Sequence, residues 1–402
     1  MPDPTGEHIG ARIADYRKLR HMTQMSLARR AYVSRSSIAT VEAGLAPASP
    51  ALVAATARAL QVDVDVLNGQ PYMSQLRQDQ IDHLIRPLGE ALDLYDIEPD
   101  PQISPRPAAQ LDAAVTMLLR QYRCAEYGQV GSALPGLLGE LTTALHTTRQ
   151  GDERRRTAAA LANTYWTAYN LANRLGYTAL ASIALDRMGW VGAQAEDPLL
   201  LAVRQYARSL AYVRRNNPEV GLRLVARGQR LVEQADTPRS VPALAVSGKL
   251  HLRAAFIAAR AQDRDASAGY LSLGKEAARR IGRDVPEMYW LSFGPTDVAQ
   301  YEVETNIDLK NMPEAVKAAK GLRFPAGHSP TRIGRHFVDL GRAYAHMGRN
   351  EQALKALLRA RKAAPQHVRY HPTAREVVGT LVRRQRRLSE DLTALATWVG
   401  MA

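Results

Sequence analysis

Residues 23–42, TQMSLARRAYVSRSSIATVE, predict two short helices joined by a turn of about four residues. Thr23 and Ser34 stand where a hydroxyl can accept hydrogen bonds from the free N–H groups of a helical first turn. Apolar residues follow each cap at helical spacing and give each helix one face to bury. They are Leu27, Ala28 and Ala31 in the first helix, then Ile38 and Val41 in the second.

The second helix carries a short polar face opposite its apolar one, formed by Arg35, Ser36, Ser37 and Thr40. Two helices joined in this way form a helix-turn-helix, whose second helix lies in the major groove of DNA. An arginine there can bind O6 and N7 of guanine together, whereas serine and threonine make less selective contacts. The pattern therefore predicts binding to double-stranded DNA.

The flanking sequence extends this pattern over roughly residues 9 to 70. The positions that match are Gly10, Arg17, Leu19–Arg20, Thr23–Gln24, Leu27–Ala28, Val33–Ser34, Ile38, Glu42, Gly44, Pro50, Ala57, Leu60 and Leu67–Asn68–Gly69. In these residues the chain resembles the phage-repressor-like (XRE-type) helix-turn-helix family. Tyr32 departs from it, because the family usually has glycine in the turn and a non-glycine at positive φ costs about a kcal/mol. If the turn differs from that of the family, we therefore expect the difference at Tyr32.

The resemblance implies roles for individual side chains. Gln24 would bind a phosphate, and Arg17 with Glu42 would form a partly buried ion pair between the first helix and the recognition helix. Arg29 and Arg30 could attract DNA, but a solvated helix face explains them equally well. The DNA-binding set that follows from the motif and the resemblance is Gln24, Ser34, Arg35, Ser36, Ser37 and Thr40. Within this set, Ser37 could contact a phosphate instead of a base.

Composition sets wider bounds. The 402 residues are too many for one core and predict at least two domains. The net charge of +14 suits a polyanionic partner, although the arginine-rich run at 383–387 could be a solvated helix end. A single cysteine, Cys124, an N-terminus unlike a signal peptide, and no run of about 18 apolar residues predict a cytoplasmic protein without a membrane segment.

Beyond Gly69 the periodicity is helical, with a proline-rich linker at 98–107 and no convincing strand. Phe337, Leu340–Gly341, Tyr344, Gly348, Ala353, Leu357, Ala360 and Pro365 have the spacing of a tetratricopeptide (TPR) repeat. Weaker copies place anchors at 133, 181, 221, 266, 315 and 353, which predicts irregular hairpins in a solenoid. We also expect one or two helices over 72–97, a break at Pro87, and a single capping helix over 373–398.

The whole chain resembles regulators that pair an XRE-type helix-turn-helix with a TPR-like C-terminal domain. The stretches that carry this resemblance are WLSFGPTD at 290–297, DLGRAY at 339–344, ALKALL at 353–358 and APQHVR at 364–369. The expected fold is all-α: a DNA-binding domain at 1–70, a linker helix and proline-rich linker at 71–110, and a TPR-like sensor or dimerisation domain at 111–402. We expect a homodimer on operator DNA, because one short recognition helix makes too few base contacts.

A ligand is expected on the inner face of the repeats, which the first helix of each TPR hairpin lines. Asn163, Trp166, Asn170 and Asn173 share one face of such a helix, where amides could pair with a peptide backbone. The same register selects Tyr206, His251, Gln300, Glu304, Arg335 and Arg342. A peptide, a small molecule or a partner protein could occupy this groove, and exposed polar faces with no ligand would look the same.

No catalytic residues, cofactor or metal site follow from the sequence. The ten histidines show no metal-ligand spacing, and no nucleophile and base can be paired. His367 and His371 lie between Pro365 and Pro372, in a stretch expected to be a turn. The alternative to a ligand-sensing regulator is an interaction protein, such as an antitoxin-like repressor whose groove binds a partner protein.

Overall fold

In the computed structural model, which describes residues 8–97, 100–385 and 387–401, the chain begins with a bundle of short helices. They are α1 Ile9–Leu19, α2 Gln24–Ala31, α3 Arg35–Glu42, α4 Pro50–Leu60 and α5 Val64–Asn68. The hydroxyls of Thr23 and Ser34 cap α2 and α3 as the sequence predicts, each accepting a backbone N–H at 3.1 Å. Ile13, Leu27 and Ile38 are fully buried where the first three helices meet.

The turn between α2 and α3 keeps its expected shape despite Tyr32. This residue adopts the left-handed conformation at φ 56° that glycine usually provides, and its side chain is 87% exposed. The next residue, Val33, donates its N–H to the carbonyl of Ala28, which closes the end of α2. The turn is therefore unaltered, because an exposed ring meets no steric barrier there beyond the cost of the backbone conformation.

Residues 71–97, expected to hold one or two linker helices, form short helical segments that pack into the core of the repeats. They are α6 Met73–Gln78, a 3₁₀ turn Asp82–Leu84, α7 Ile85–Asp93 and a second 3₁₀ turn Leu94–Asp96. The expected break at Pro87 is wrong, because Pro87 lies in the first turn of α7, where its missing N–H has no helical partner to lose. The chain breaks instead at Asp79–Ile81, where Gln80 adopts a positive φ.

Six antiparallel helix hairpins follow in the described part of the chain. Their helices are α8 Ala108–Arg123 with α9 Tyr127–Thr147, α10 Asp152–Leu175 with α11 Thr178–Gln194, α12 Pro198–Arg214 with α13 Pro218–Glu233, α14 Val241–Arg260 with α15 Arg264–Ile281, α16 Pro295–Asp308 with α17 Met312–Lys320, and α18 Pro330–His346 with α19 Asn350–Ala363. Each of the six predicted anchor positions lies in the second helix of one hairpin. The all-α fold with a TPR-like solenoid is confirmed.

One small departure from an all-α chain is a two-stranded hairpin between α15 and α16. Its strands are β1 Val285–Met288 and β2 Leu291–Phe293, paired antiparallel. Tyr289 and Trp290 form the turn with φ of 48° and 62°, and a turn of this type normally contains asparagine or glycine. The usual sequence signal for a hairpin was therefore absent. Phe293 is fully buried against Gly248, where an added Cβ would lie 2.1 Å from its ring.

The prediction of a single C-terminal helix over 373–398 is wrong. The structure has α21 Pro372–Arg384 and α22 Glu390–Trp398, because the chain turns extended at Gln385 and Ser389 caps a new helix. The expected turn around Pro365 is a short helix, α20 Pro365–Arg369, with proline in its first turn. Of the arginine-rich run at 383–387, Arg386 lies outside the described residues.

The two ends of the repeat domain contact each other. The Tyr127 hydroxyl lies 2.9 Å from Nδ1 of His367, and the Tyr370 hydroxyl donates to Asp79 at 2.6 Å. Arg369 completes this junction with an ion pair to Asp79 at 2.9 Å. These contacts bring the beginning of α9 against α20, near the C-terminal end of the repeats.

Within the described residues, one helix is long and apolar enough to cross a bilayer. This helix is α14, Val241–Arg260, and most of it is buried inside the protein among α13, α15 and α16. Its composition fits that of a core helix in the solenoid.

Candidate DNA-binding surface and interdomain cavity

The predicted recognition residues share one open surface on α3. Arg35 and Ser36 are exposed there, and Ser37 and Thr40 are half-buried. The hydroxyls bond locally: Ser34 Oγ accepts the N–H of Ser37, and Thr40 Oγ1 donates to the carbonyl of Ser36 at 2.8 Å. The guanidinium of Arg35 is thus the long cationic group that α3 presents to solvent.

Arg17, Glu42 and Gln24 form a network behind this surface. The guanidinium of Arg17 donates from Nε and Nη2 to the two carboxylate oxygens of Glu42, at 2.7 and 2.9 Å. The two side chains are only 13% and 7% exposed, and this hydrogen bond raises the pKa of Arg17. Gln24, expected at a DNA phosphate, donates its amide to Glu42 at 2.9 Å. The network ties α1 and α2 to the recognition helix.

Residues 8–68 match a family model described as "Helix-turn-helix domain". The N-terminal bundle is a helix-turn-helix domain. No curated protein matches the chain. The crystal structure of Bacillus thuringiensis PlcR in complex with the peptide PapR7 and DNA aligns over 86% of this chain and 99% of that chain, with 15% sequence identity and a TM-score of 0.35. Similarity at this level assigns no function to the chain.

Helix α21 holds the helix-turn-helix domain against the repeats. Arg383 donates to the carbonyl of Gly44 at 3.0 Å, and Arg384 donates twice to the carbonyl of Leu45, at 3.0 and 2.7 Å. A carboxylate oxygen of Glu376 accepts the N–H of Ala48 at 3.1 Å. We call Glu376, Arg383 and Arg384 the clamp. Two arginines of the predicted solvated run therefore bind the backbone just after the recognition helix, where helix carbonyls favour positive charge.

A second contact joins the helix-turn-helix domain to the start of the repeats. The Thr178 hydroxyl, at the beginning of α11, donates to Asp65 of α5 at 2.5 Å. The domain is thus attached through the segment after α3 and through α5, whereas Arg35 and Ser36 lie on its exposed surface. These attachments leave Arg35 and Ser36 exposed.

The predicted ligand face on α10 does not form one open surface. Trp166 is 7% exposed and packs its ring 5.6 Å from that of Tyr169. Asn170 donates its amide to the carbonyl of Trp166, and the buried Oδ1 of Asn163 has no hydrogen-bond partner in the described structure. Only Asn173 of this set lines a cavity, where its Oδ1 accepts from Arg214. The sequence register placed one face outward, but neighbouring helices cover α10 on most sides.

Tyr206 and His251 also lie away from that cavity. The Tyr206 hydroxyl is 3.0 Å from that of Tyr301, and the guanidinium of Arg253 lies 4.2 Å from the Tyr206 ring centre. Burial raises the pKa of Tyr206, but the positive charges of Arg253 and its neighbours outweigh this effect and lower the pKa to about 8. Burial lowers the pKa of His251. Tyr206 is part of the packed interior, whereas His251 is half-buried.

The cavity itself has a volume of about 140 Å³ and lies between the two domains. The helix-turn-helix domain provides the apolar residues Ile9, Pro50, Val53 and Val64 and the polar residues Asp65 and Asn68. The repeats provide a charged wall from their first helices, mostly near the C-terminal ends, although Arg335 lies in the N-terminal half of α18. Its cationic members are Arg174, Arg214, Arg260, Arg335 and Arg342. Glu304, Arg335 and Arg342, which also line the cavity, are among the residues that the repeat register selected in the sequence analysis.

The sequence reasoning missed Arg174, Arg214, Arg260 and Asp308 as cavity residues. A signal was present, because Arg214, Arg260 and Asp308 are each the last residue of the first helix of a hairpin, and Arg174 is the last but one. Polar residues at that recurring position mark the rim where the first helices approach the N-terminal domain.

Carboxylates neutralise three of the five arginines. Asp308 pairs with Arg260 at 2.9 Å and with Arg342 at 2.6 Å, while Arg335 pairs with Glu304 and lies 3.7 Å from Asp339. Burial raises the pKa of Asp308, but the two arginines outweigh it and hold the pKa below its usual value. Burial raises the pKa of Asp339 to about 6. No group of three His, Cys, Asp or Glu side chains in the described structure is placed to hold a metal ion.

Proposed function

We propose that this chain is a cytoplasmic, sequence-specific transcriptional regulator whose repeat domain senses a ligand. One observation carries the proposal: Arg35 and Ser36 of α3 are exposed while the clamp holds the backbone that follows this helix. A recognition helix fixed in this way can enter the major groove and still report a change in the repeats. The proposed role is binding rather than catalysis.

The proposed complex is a homodimer on a two-fold operator. One recognition helix contacts few bases, and two half-sites about one helical turn apart supply the missing specificity. The proposed division of the chain is a DNA-binding domain at 1–70, a connecting segment at 71–110 and the sensing or dimerising repeats at 111–402. In this division, residues 71–97 add their apolar side chains to the repeat core.

The cavity of about 140 Å³ supports a small ligand over a protein partner, which is the alternative for a TPR-like domain. A partner protein needs a broad accessible surface, whereas a concave site with a few polar groups suits a small molecule or a short peptide. The contact of Tyr127 with His367 joins the two ends of the repeats, which supports this preference.

The test is selection of genomic DNA fragments by the purified full-length protein at physiological salt, followed by sequencing of the retained DNA. A palindromic motif is the expected result. Retention without a motif that fades steeply with salt would contradict the proposal, because it would indicate phosphate binding alone.

The substitution Arg35→Ala tests the contact that this single residue makes with DNA. It should relax preference at one guanine position by about 1–3 kcal/mol, the usual discrimination of a bidentate contact. Arg149→Ala removes the same charge from an exposed position in the repeat domain and should leave the motif unchanged. Equal effects of the two substitutions would refute the docking of α3.

A further inference from the structure

The cavity between the domains has two unlike sides. On one side the helix-turn-helix domain contributes the apolar side chains of Ile9, Val53 and Val64, together with the carboxylate of Asp65. On the other side Arg174 and Arg214 reach the cavity from α10 and α12. A ligand that fills this space therefore meets an apolar surface on one side and guanidinium groups on the other.

Arg174 and Arg214 have no carboxylate partner within ion-pair distance in the described structure. Arg214 donates to the neutral amide oxygen of Asn173, and Asp65 attracts it only at longer range. Arg174 lies beside the hydroxyls of Tyr122 and Tyr127, and its buried Nε has no hydrogen-bond partner. Both side chains are half-buried, and guanidinium donors that no carboxylate uses bind anions well, so this part of the cavity favours an anion.

A second unpartnered donor points to the same conclusion. Arg342 lines the cavity and is only 4% exposed, and its Nε has no hydrogen-bond partner although Nη2 is paired with Asp308. Guanidinium groups bind planar carboxylates with two parallel hydrogen bonds, which uses donors of this kind. The arginine-rich end thus retains unused donors even after its internal ion pairs are counted.

The volume limits the size of the ligand. Cavities of about 150 Å³ lined by apolar side chains hold a molecule of the size of benzene. We propose that the cavity binds a small monocarboxylic acid with an aromatic or branched aliphatic group, its carboxylate on Arg174 and Arg214 and its apolar group on the wall of Ile9, Val53 and Val64. This inference rests on the proposed sensing function and names the class of ligand.

Occupancy of this cavity couples directly to the DNA-binding domain, because that domain forms one of its walls. Asn68 and Ala48 also line the cavity, and Ala48 is held by Glu376 of the clamp. A ligand that contacts both walls favours the arrangement in which they lie at this separation. By linkage, operator DNA changes the affinity for the acid by the same factor as the acid changes the affinity for operator.

The experiment is ligand-observed NMR with the full-length protein and three acids, benzoate, phenylacetate and 3-methylbutanoate, each compared with its primary amide. We expect at least one acid to bind at least tenfold more tightly than its amide, because charged hydrogen bonds contribute more than neutral ones. Binding of the tripeptide Gly-Gly-Phe in place of all three acids would instead assign the site to a peptide carboxyl terminus and overturn the free-acid proposal.

Variants locate the binding. Arg214→Ala should remove the preference for acid over amide, whereas Arg149→Ala should keep it. Leu210→Trp fills the cavity from the repeat side with both arginines in place and should abolish binding of acid and amide alike. Circular dichroism and operator binding establish that each variant is folded. Equal binding of acids and amides, no binding by any acid, or an acid preference retained in Arg214→Ala would overturn the proposal.

Operator binding is measured in the same samples, which separates the two proposals. Specific operator binding without acid binding would refute the ligand class and leave the regulator intact. Acid binding that leaves operator affinity unchanged would retain the site and refute its sensing role.

Discussion

Replacement of Gly10 by alanine tests how closely α1 approaches the recognition helix. A Cβ on Gly10 would lie 1.8 Å from the carbonyl oxygen of Val41 and 2.6 Å from its carbonyl carbon. Real Cβ atoms essentially never approach another atom closer than 3.0 Å, and the obstacle here is the backbone of α3. Helix α1 must therefore move away from α3 by an ångström or more.

The magnitude follows from what this movement disturbs. Alanine in a helix is favoured over glycine by about 1 kcal/mol, but overpacking costs about 1–3 kcal/mol. The movement also stretches the bonds of Arg17 to Glu42, now 2.7 and 2.9 Å, and loss of a buried pair costs about 3–5 kcal/mol. With partial relaxation we expect a net destabilisation of the helix-turn-helix domain by about 2–4 kcal/mol.

Hydrogen exchange followed by mass spectrometry measures this effect segment by segment in the full chain. Opening of α1 and α3 should increase about 30- to 1000-fold, since each 1.4 kcal/mol is a factor of ten. Gly269→Ala is the matched control, because Gly269 is exposed inside α15 and an added Cβ meets nothing within 4 Å. This control should slow exchange in α15. Exchange of α1 and α3 in Gly10→Ala at the wild-type rate would refute the close approach.

Three further predictions concern the ion pair, the clamp and the buried acid. Glu42→Ala removes the carboxylate that pairs with Arg17 and should destabilise the helix-turn-helix domain by about 3–5 kcal/mol. Hydrogen exchange in α1 and α3 should become faster, and an unchanged rate would contradict this prediction. Arg383→Ala combined with Arg384→Ala removes the donors to the backbone after α3 and should widen the particle in small-angle X-ray scattering, whereas an unchanged profile would show the clamp to be dispensable. Burial raises the pKa of Asp339 to about 6, so its contribution to stability is present below pH 4 and is lost as the pH rises through 6. Asp339→Asn should thus stabilise the protein against urea at pH 7 and not at pH 4, and equal effects at both pH values would refute the shift.

The elements that the sequence predicted correctly are those that neighbouring residues determine. The caps at Thr23 and Ser34, the helical spacing of Leu27 and Ile38, and the six hairpin anchors all depend on patterns within about 40 residues. The turn at Tyr32 keeps its expected shape because the free-energy cost of a positive φ at a non-glycine residue is local and small. The β-hairpin at 285–293 was not predicted, because its turn residues do not carry the usual local sequence signal.

The candidate ligand site could not be read in the same way, because it forms between segments far apart in the chain. A degenerate repeat does not reveal which face of α10 its neighbours cover, so Trp166 and Asn163 were assigned to an open surface. The cavity needs the helix-turn-helix domain as a wall, and no periodicity predicts where that domain docks. Charged residues at the ends of the first helices were visible in the sequence, but their common purpose depends on that docking.

The clamp also has a consequence for the synthesis of the protein on the ribosome. Arg383 is separated from its partner Gly44 by 339 residues. At about 5–20 residues per second, translation of that distance takes roughly 17–70 s, far longer than a small helical bundle needs to fold. Each nascent chain therefore has a folded DNA-binding domain before the helix that restrains this domain has been synthesised. Where messenger RNA is translated while it is still being transcribed, the new protein first meets DNA in this unrestrained form.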